Sequence, residues 1–302
     1  MNTFLRNQGQ YILKNEICAF FVAAILALIP LTTWLSLAVI ALVTLRKGVV
    51  DGAKVFICGI IASYISYQFN TNLGHAFSMT IITFIIGFSA ALILRLTANW
   101  KIVIFGILIA ALIIISLVHG FLPNYANEQY VLLLAALKEV DPNHMLVQLL
   151  ESQQRTNPNL IINSLLGIRV LSLVFSALGS LMLARGIQSL LFYPGGFREE
   201  MLAFRASRVG VLLLIVAAFG VYQSNPIAIS CLPLLVVYLM FAGISLFFNI
   251  MARKRDLVTI FLLFVPLIIV PYIMLPIYVF FGSLDSLFNL RLHLSLDRKF
   301  KN

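Results

Sequence analysis

Acidic residues are scarce in this chain, eleven Asp and Glu against twenty-one Lys and Arg, and none falls in the middle of an apolar run. Proton- and sodium-coupled carriers commonly rely on an intramembrane carboxylate, so the sequence offers no relay of that kind. Cysteine is equally sparse. Cys18, Cys58 and Cys231 each lie inside apolar runs without paired spacing, which supports neither a disulfide framework nor a zinc site. Three scattered histidines lack Cys or acidic neighbours, and no metal is expected. A GxxxxGK[ST] phosphate loop and an HExxH helix are both absent, as is a mid-span Asp pair or a Ser–His arrangement. The expectation is a non-enzyme with no catalytic residues, no cofactor and no ATPase of its own.

What the chain has in abundance is apolar surface. It is 61% hydrophobic and only 11% charged, with a mean hydropathy of +1.02. Soluble domains run near about half apolar and a quarter charged, so this is an integral membrane protein in contact with membrane lipids. Long apolar runs broken by short polar punctuation predict an all-α polytopic transmembrane helical bundle. A barrel would show short alternating strands instead. The net charge of +10 is carried mostly by short loops, the pattern of cytoplasmic loops rather than of nucleic-acid binding. Arg6 and Lys14 precede the first run as in a signal peptide, but the run is long and lacks a small-residue cleavage site. It reads as a retained first span.

The first uncharged run covers 29 residues from Ile17 to Leu45. One helix of that length would reach about 43 Å against about 30 Å of hydrocarbon, with Pro30, Thr32 and Thr33 near its centre. Two crossings with Pro30 at the outer turn and Trp34 in the aromatic belt fit better. The first leg is then expected to run from Tyr11 to Ile29 as one helix. Further runs follow at Val55–Phe69, Phe77–Leu94, Ile102–Val118, Leu160–Ala184, Val209–Tyr222, Ile227–Met251 and Leu257–Phe281. The last carries Pro266, Pro271 and Pro276; it reads as a single kinked span, with a broken hairpin as the alternative. This makes about nine spans.

Loops 46–54, 95–101, 185–208 and 252–256 are basic, whereas 70–75 and 223–226 carry no basic residue. The segment 121–159 has two bases against four acids. Basic loops inside and the others outside make a self-consistent topology, and the expected location is a bacterial inner (cytoplasmic) membrane. Within 121–159, "NEQYVLLLAALKEV" and "HMLVQLLESQQ" have helical apolar spacing and are too short and charged to span. They predict two amphipathic helices on the outer surface or capping the bundle. Three regions result: an N-terminal bundle 1–120, an outer segment 121–159, and a C-terminal bundle 160–302 with a basic tail.

Arg169 is the one charge well inside a run, about 14 Å from the start near Leu160. A charge there costs several kcal/mol on the lipid face, so it must find carbonyls, water, an anionic ligand or a partner chain. Tyr64, Tyr67, Gln68 and His75 gather toward the outer halves of their spans, with His119, Asn163, Tyr222 and Gln223 at a similar depth. Singly they suit an interfacial belt; jointly they suggest an outward-facing polar pocket. Arg169, Tyr64, Tyr67, Gln68 and His75 are therefore the candidate ligand-binding residues.

Several pieces resemble the YybS-like family of bacterial inner-membrane proteins: "FREEMLAFRASR", "VVYLMFAGISLFFNIMARKR" with Gly243, and "FGSLDSLFNLR" with Gly282, Asp285 and Arg291. The sequence departs from the family at Leu202-Ala203-Phe204. The N-terminal half looks like the substrate-binding S components of energy-coupling-factor transporters: two short spans around a turn, a basic loop, then further spans. That resemblance implies a small solute bound near the outer face and a coupling membrane protein with ATPase subunits as partner. It also implies that a small-residue stripe on the first span meets the partner helix; here Ala19, Ala23 and Ala27 recur every four residues. The expected function is a transport-related small-solute-binding component. A membrane scaffold or assembly factor is the alternative.

Overall fold

The computed structural model describes residues 2–68, 74–141, 145–251 and 257–291. They form fourteen α-helices, with no strand among the described residues. In chain order these are α1 (Asn2–Lys14), α2 (Glu16–Leu28), α3 (Thr33–Arg46), α4 (Val49–Gln68), α5 (Gly74–Thr97), α6 (Trp100–Phe121) and α7 (Tyr125–Val140). Then follow α8 (Met145–Thr156), α9 (Pro158–Phe192), α10 (Gly196–Leu202), α11 (Arg208–Tyr222), α12 (Pro226–Met251), α13 (Leu257–Ile269) and α14 (Pro271–Phe288). The all-α bundle expected from hydropathy is the architecture found.

Six of these helices, α4, α5, α6, α9, α12 and α14, are long and apolar enough to cross a membrane, or seven spans result if the bent α1–α2 pair counts as one. The expected number was nine. The excess comes from α2, α3 and α11, of 13, 14 and 15 residues, each only about 20 Å long. Nor is the first leg one helix from Tyr11 to Ile29. Extended backbone at Asn15 breaks it, and the chain bends by 116° between α1 and α2. The charged ends Lys14 and Glu16 flank that break, where a continuous apolar helix would have had to carry both.

The chain falls into two compact units, Met1–Ile107 with Ser172–Met201, and Leu108–Leu171 with Leu202–Asn302. α9 is a single helix of 35 residues, about 52 Å long, and its second half belongs with the N-terminal helices. The segment 121–159 falls within the second unit.

In the first unit α3 is the core. Every residue from Ser36 to Leu45 is buried, and α3 packs against α2, α4 and α5. The two polar side chains of that buried stretch are both bonded: Ser36 Oγ donates across to the Ala23 carbonyl of α2 at 2.8 Å and Thr44 Oγ1 to the Ile40 carbonyl one turn back at 2.7 Å. The expected hairpin turn is present as a short 3-10 turn, Pro30–Thr32, and Thr32 Oγ1 closes it on the Leu26 carbonyl at 2.7 Å. Glycines admit the close approach of α4 and α5. A Cβ at Gly52 would stand 2.9 Å from the Thr44 backbone, and one at Gly87 2.5 Å from Leu37. The second half of α9 joins through Ser180 Oγ, which donates to the Trp34 carbonyl at 2.6 Å.

The basic loops of this unit converge. Arg95 donates to the Thr44 carbonyl at 2.6 Å and lies beside Gly48. The Arg46 guanidinium stacks 3.9 Å over Phe192. Trp100 Nε1 donates to Glu200 at 2.8 Å, and Arg185 grips the same carboxylate with two of its nitrogens. Burial pushes the Glu200 carboxyl up, but the hydrogen bonds from Arg185 and Trp100 and the Arg185 charge outweigh it and hold it below the usual carboxylate range.

The second unit is built on α12, which packs against α14 and α11. α12 and α14 touch backbone to backbone. A Cβ at Gly243 would lie 2.0 Å from the Tyr278 carbonyl oxygen, and one at Gly282 2.1 Å from the Leu239 oxygen. The last apolar run is not one kinked span. It breaks at Val270-Pro271, and α13 folds back so that Tyr278 Oη donates to the Leu263 carbonyl at 2.8 Å. Along a continuous helix those residues would be about 22 Å apart. Proline removes the amide that would continue the ladder, which explains where the break falls. The basic loop 252–256 and the tail beyond Arg291 lie outside the described residues.

The outer faces of the helices carry the membrane pattern. On α2 the alanines face inward while Ile17, Phe21, Ile25 and Leu28 are exposed, and α11 exposes Leu212, Ile215, Val216 and Phe219. Large apolar side chains left outside, with small residues inside, suit a lipid solvent. The protein is a multi-pass integral membrane protein.

Candidate polar site in the second unit

α7 is amphipathic, and its buried face includes an unusual residue. Ala126 and Tyr130 are buried as the apolar spacing predicts, but Gln129 is buried with them, at 6% exposure. Neither amide atom of Gln129 has a hydrogen-bond partner, and neither does the buried hydroxyl of Tyr125, one helical turn earlier. A buried polar group left unsatisfied costs about 1–3 kcal/mol, so two on consecutive turns of one helix call for an explanation. Neighbouring Tyr130 shows the ordinary solution: its hydroxyl donates to Gln154 Oε1 of α8 at 2.8 Å.

Arg169 on α9 is half-buried, and its charge acts on the Tyr125 hydroxyl. Burial pushes the Tyr125 phenol above its ordinary value; Arg169 pulls it down and Glu128 pushes it up. Two residues before Arg169, α9 touches α12 directly, because a Cβ at Gly167 would lie 2.3 Å from the Ser230 carbonyl oxygen. That crossing is bonded by a small network. The Ser230 hydroxyl lies 3.0 Å from the Asn163 carbonyl and 3.0 Å from His119 Nε2, joining α6, α9 and α12. Of the residues grouped by depth in the sequence, the structure thus brings together His119 and Asn163, while the charge of Arg169 acts on Tyr125, which is not one of that group. Toward the other end of α7 an open cleft of about 420 Å³ is lined by Leu134, Glu151, Gln154, Arg155 and Pro158, within the usual size class of small-molecule sites. Lys138 pairs with Glu151 near it at 2.7 Å.

The remaining sequence candidates lie in the first unit. Tyr64 and Gln68 stand on the exposed face of α4 with Ile57, Ile61 and Ile65. Tyr67 is buried, its hydroxyl 3.1 Å from Thr80 Oγ1. The His75 side chain lies outside the described residues. Ala19, Ala23 and Ala27 are buried within the chain at 1% exposure or less, on a helix that packs against α3 and α4. The small-residue stripe is occupied by helices of the same chain.

Gly243, Gly282, Asp285 and Arg291 form one construction. The glycines make the α12–α14 crossing, and α14 runs on to Phe288, taking Asp285 into a candidate span as a fully buried carboxylate. Arg291 Nε donates to Asp285 Oδ2 at 3.0 Å, and its other nitrogens reach the Leu202 and Phe204 carbonyls and Ser245 Oγ. Arg205 donates to the Ser286 carbonyl at 2.9 Å. The cluster ties the segment before α11 to α12 and α14.

Sequence reasoning missed Tyr125 and Gln129, since a glutamine on an amphipathic helix reads as part of the wet face. The available signal was its register, three residues after Ala126 and just before Tyr130, on the stripe that the aromatic and the alanine mark as inward. No protein-family model matches the chain, and neither does any curated protein or any solved structure.

Proposed function

We propose that this protein is a small-solute-binding component of a bacterial inner membrane, without an ATPase of its own, working with a separate coupling membrane protein and its ATPase subunits. The observation that carries the reading is Gln129: a polar amide, buried, with both of its hydrogen-bonding atoms unmet, one turn from an equally unmet Tyr125 hydroxyl on which the charge of Arg169 acts. A leucine would fill such a position without the desolvation cost. Retaining polar atoms there is the ordinary arrangement of a binding site, where the ligand completes the hydrogen bonds. The likeness of the N-terminal half to S components is in keeping with the same reading and is the source of the proposed coupling partner.

The test is gentle purification followed by mass spectrometry of everything retained, for the wild type and Arg169→Leu. A solute-binding component should retain a small molecule and coupling subunits, and Arg169→Leu should lose the small molecule at unchanged folded yield. Retention of other membrane proteins and of no small molecule would establish the scaffold alternative. Full growth support and higher yield from Arg169→Leu would remove the arginine from any ligand role.

A further inference from the structure

We propose that the cleft between α7, α8 and the start of α9 is a headgroup site for an anionic phospholipid, holding the single negative charge of its phosphodiester. The site is separate from the polar pair described above, since neither Gln129 nor Tyr125 lines the cleft, and it requires no transported solute. Pro158 fixes its depth. That residue lines the cleft and is also the first of α9, a helix long and apolar enough to cross the membrane. The apolar residues of α9 begin at Leu160, so the cleft opens where hydrocarbon gives way to headgroups. The surrounding faces suit the same level. α7 and α8, of 16 and 12 residues, leave Val131, Leu132, Met145, Leu146 and Leu149 exposed. Amphipathic helices of this kind lie in the interface with their apolar side chains among the acyl chains.

The chemistry of the cleft selects the headgroup. Glu151 and Arg155 stand four residues apart on α8, a spacing at which such a pair ordinarily joins. Here the Glu151 carboxylate turns instead to Lys138 of α7, at 2.7 Å. The Arg155 guanidinium, which is exposed, has no ion pair or hydrogen bond among the described residues. Beside it, Gln154 Oε1 accepts from the Tyr130 hydroxyl at 2.8 Å. That leaves the two N–H donors of the Gln154 amide for the cleft. Lys138 and Arg155 against Glu151 leave one positive charge in excess. A planar guanidinium and a neighbouring amide match a phosphodiester, whose two free oxygens accept from both at once. Leu134 and Pro158 give its glycerol carbons an apolar wall. A zwitterionic headgroup would bring a further cation to a cleft already in excess of them.

The test uses the full chain, stripped of lipid in neutral detergent. It is titrated with phosphatidylglycerol, with phosphatidylcholine of the same acyl chains and with water-soluble glycerophosphoglycerol, and binding is read by native mass spectrometry. Phosphatidylglycerol should bind more tightly than either other probe. Arg155→Gln and Gln154→Glu should each weaken it by about tenfold or more, the loss expected for a charge-assisted hydrogen bond. Gln154→Glu keeps the acceptor for Tyr130 and replaces the amide donors by a repelling charge. Arg155 is exposed, so its variant keeps the test decisive should Gln154→Glu not fold. Arg208→Gln removes an exposed charge outside the cleft and should bind as the wild type does. Equal binding of the two lipids, or wild-type binding by Arg155→Gln, overturns the proposal. Equal losses in Arg208→Gln and Arg155→Gln also overturn it, because net charge alone would then explain the attraction. Tight binding of glycerophosphoglycerol that is lost in Arg155→Gln overturns the lipid and identifies a free oxyanion as the occupant.

Discussion

Replacing Gly243 by alanine inserts one methyl group at the point where α12 and α14 touch. That carbon would sit 2.0 Å from the Tyr278 carbonyl oxygen and 2.8 Å from its carbonyl carbon. The closest comfortable carbon–oxygen approach is about 3.3 Å, so α14 has to retreat by roughly 1.3 Å. The obstacle is backbone, not the end of a flexible side chain, and no rotamer change can relieve it. Retreat also separates Tyr278 from Leu263 and Ile244, the small core that α13 completes. Overpacking commonly costs about 1–3 kcal/mol, and the backbone clash places this substitution at about 3 kcal/mol. Gly179→Ala is the control, since nothing lies within 4 Å of its added carbon and alanine favours a helix over glycine by about 1 kcal/mol. Fluorescence-detected size exclusion of a tagged chain, heated in mild detergent, reads both. Gly243→Ala should lose folded protein at a lower temperature than the wild type, and Gly179→Ala should match or exceed it. Indistinguishable melting of the two variants would refute the backbone contact.

Removing the Asp285 carboxylate with Asp285→Ala leaves Arg291 buried beside Arg205 and should cost about 3–5 kcal/mol in the same heating assay, with Arg291→Met restoring part of it in the double variant. Ala23→Leu should lower folded yield, because the added side chain meets α3 and α4; release of a partner at full yield would contradict the buried stripe. The Glu200 carboxyl is held below its ordinary range, so its contribution to stability is present above that range and lost as pH falls through the depressed folded value. In a Trp34→Phe background, Trp100 emission should therefore shift on acidification, and the shift should vanish in Glu200→Gln. Single cysteines at positions 50 and 139, in a chain lacking Cys18, Cys58 and Cys231, should differ toward an impermeant maleimide in intact cells: position 139 labels and position 50 does not. The reverse pattern would invert the topology.

Hydropathy made the long helices legible because each must satisfy its own backbone in lipid over a fixed thickness. The charge pattern reached further, since Arg46, Arg95, Trp100 and Glu200, drawn from three separate loops, do meet in one unit. Local breaks were only half visible. Val270-Pro271 carried the proline signal, but whether the chain kinks or folds back depends on Tyr278 finding the Leu263 carbonyl, a contact with no local signature. The Ala19–Ala27 stripe announced a close neighbour without naming it, because small residues fit α3 and α4 as well as any foreign helix. Of the candidate site, Arg169 stood out as a charge in an apolar run, whereas Gln129 was hidden by ordinary amphipathic spacing. Burial of one polar residue on such a face is decided by packing, not by pattern.

The division of α9 between the two units has a consequence for synthesis. The first unit is completed by Ser172–Met201, which leaves the ribosome only after the whole of Leu108–Leu171 has been made. Until then the Trp34 carbonyl lacks Ser180, Arg46 lacks the Phe192 ring, and Trp100 lacks Glu200. The early helices must wait in the bilayer as an open set, exposed to lipid and to insertion factors, and they close only when a later segment returns to them. A chain arrested near residue 165 should thus be inserted yet protease-sensitive in its first hundred residues, and one arrested beyond residue 230 should be protected there. Maturation of the N-terminal half is timed by the C-terminal half.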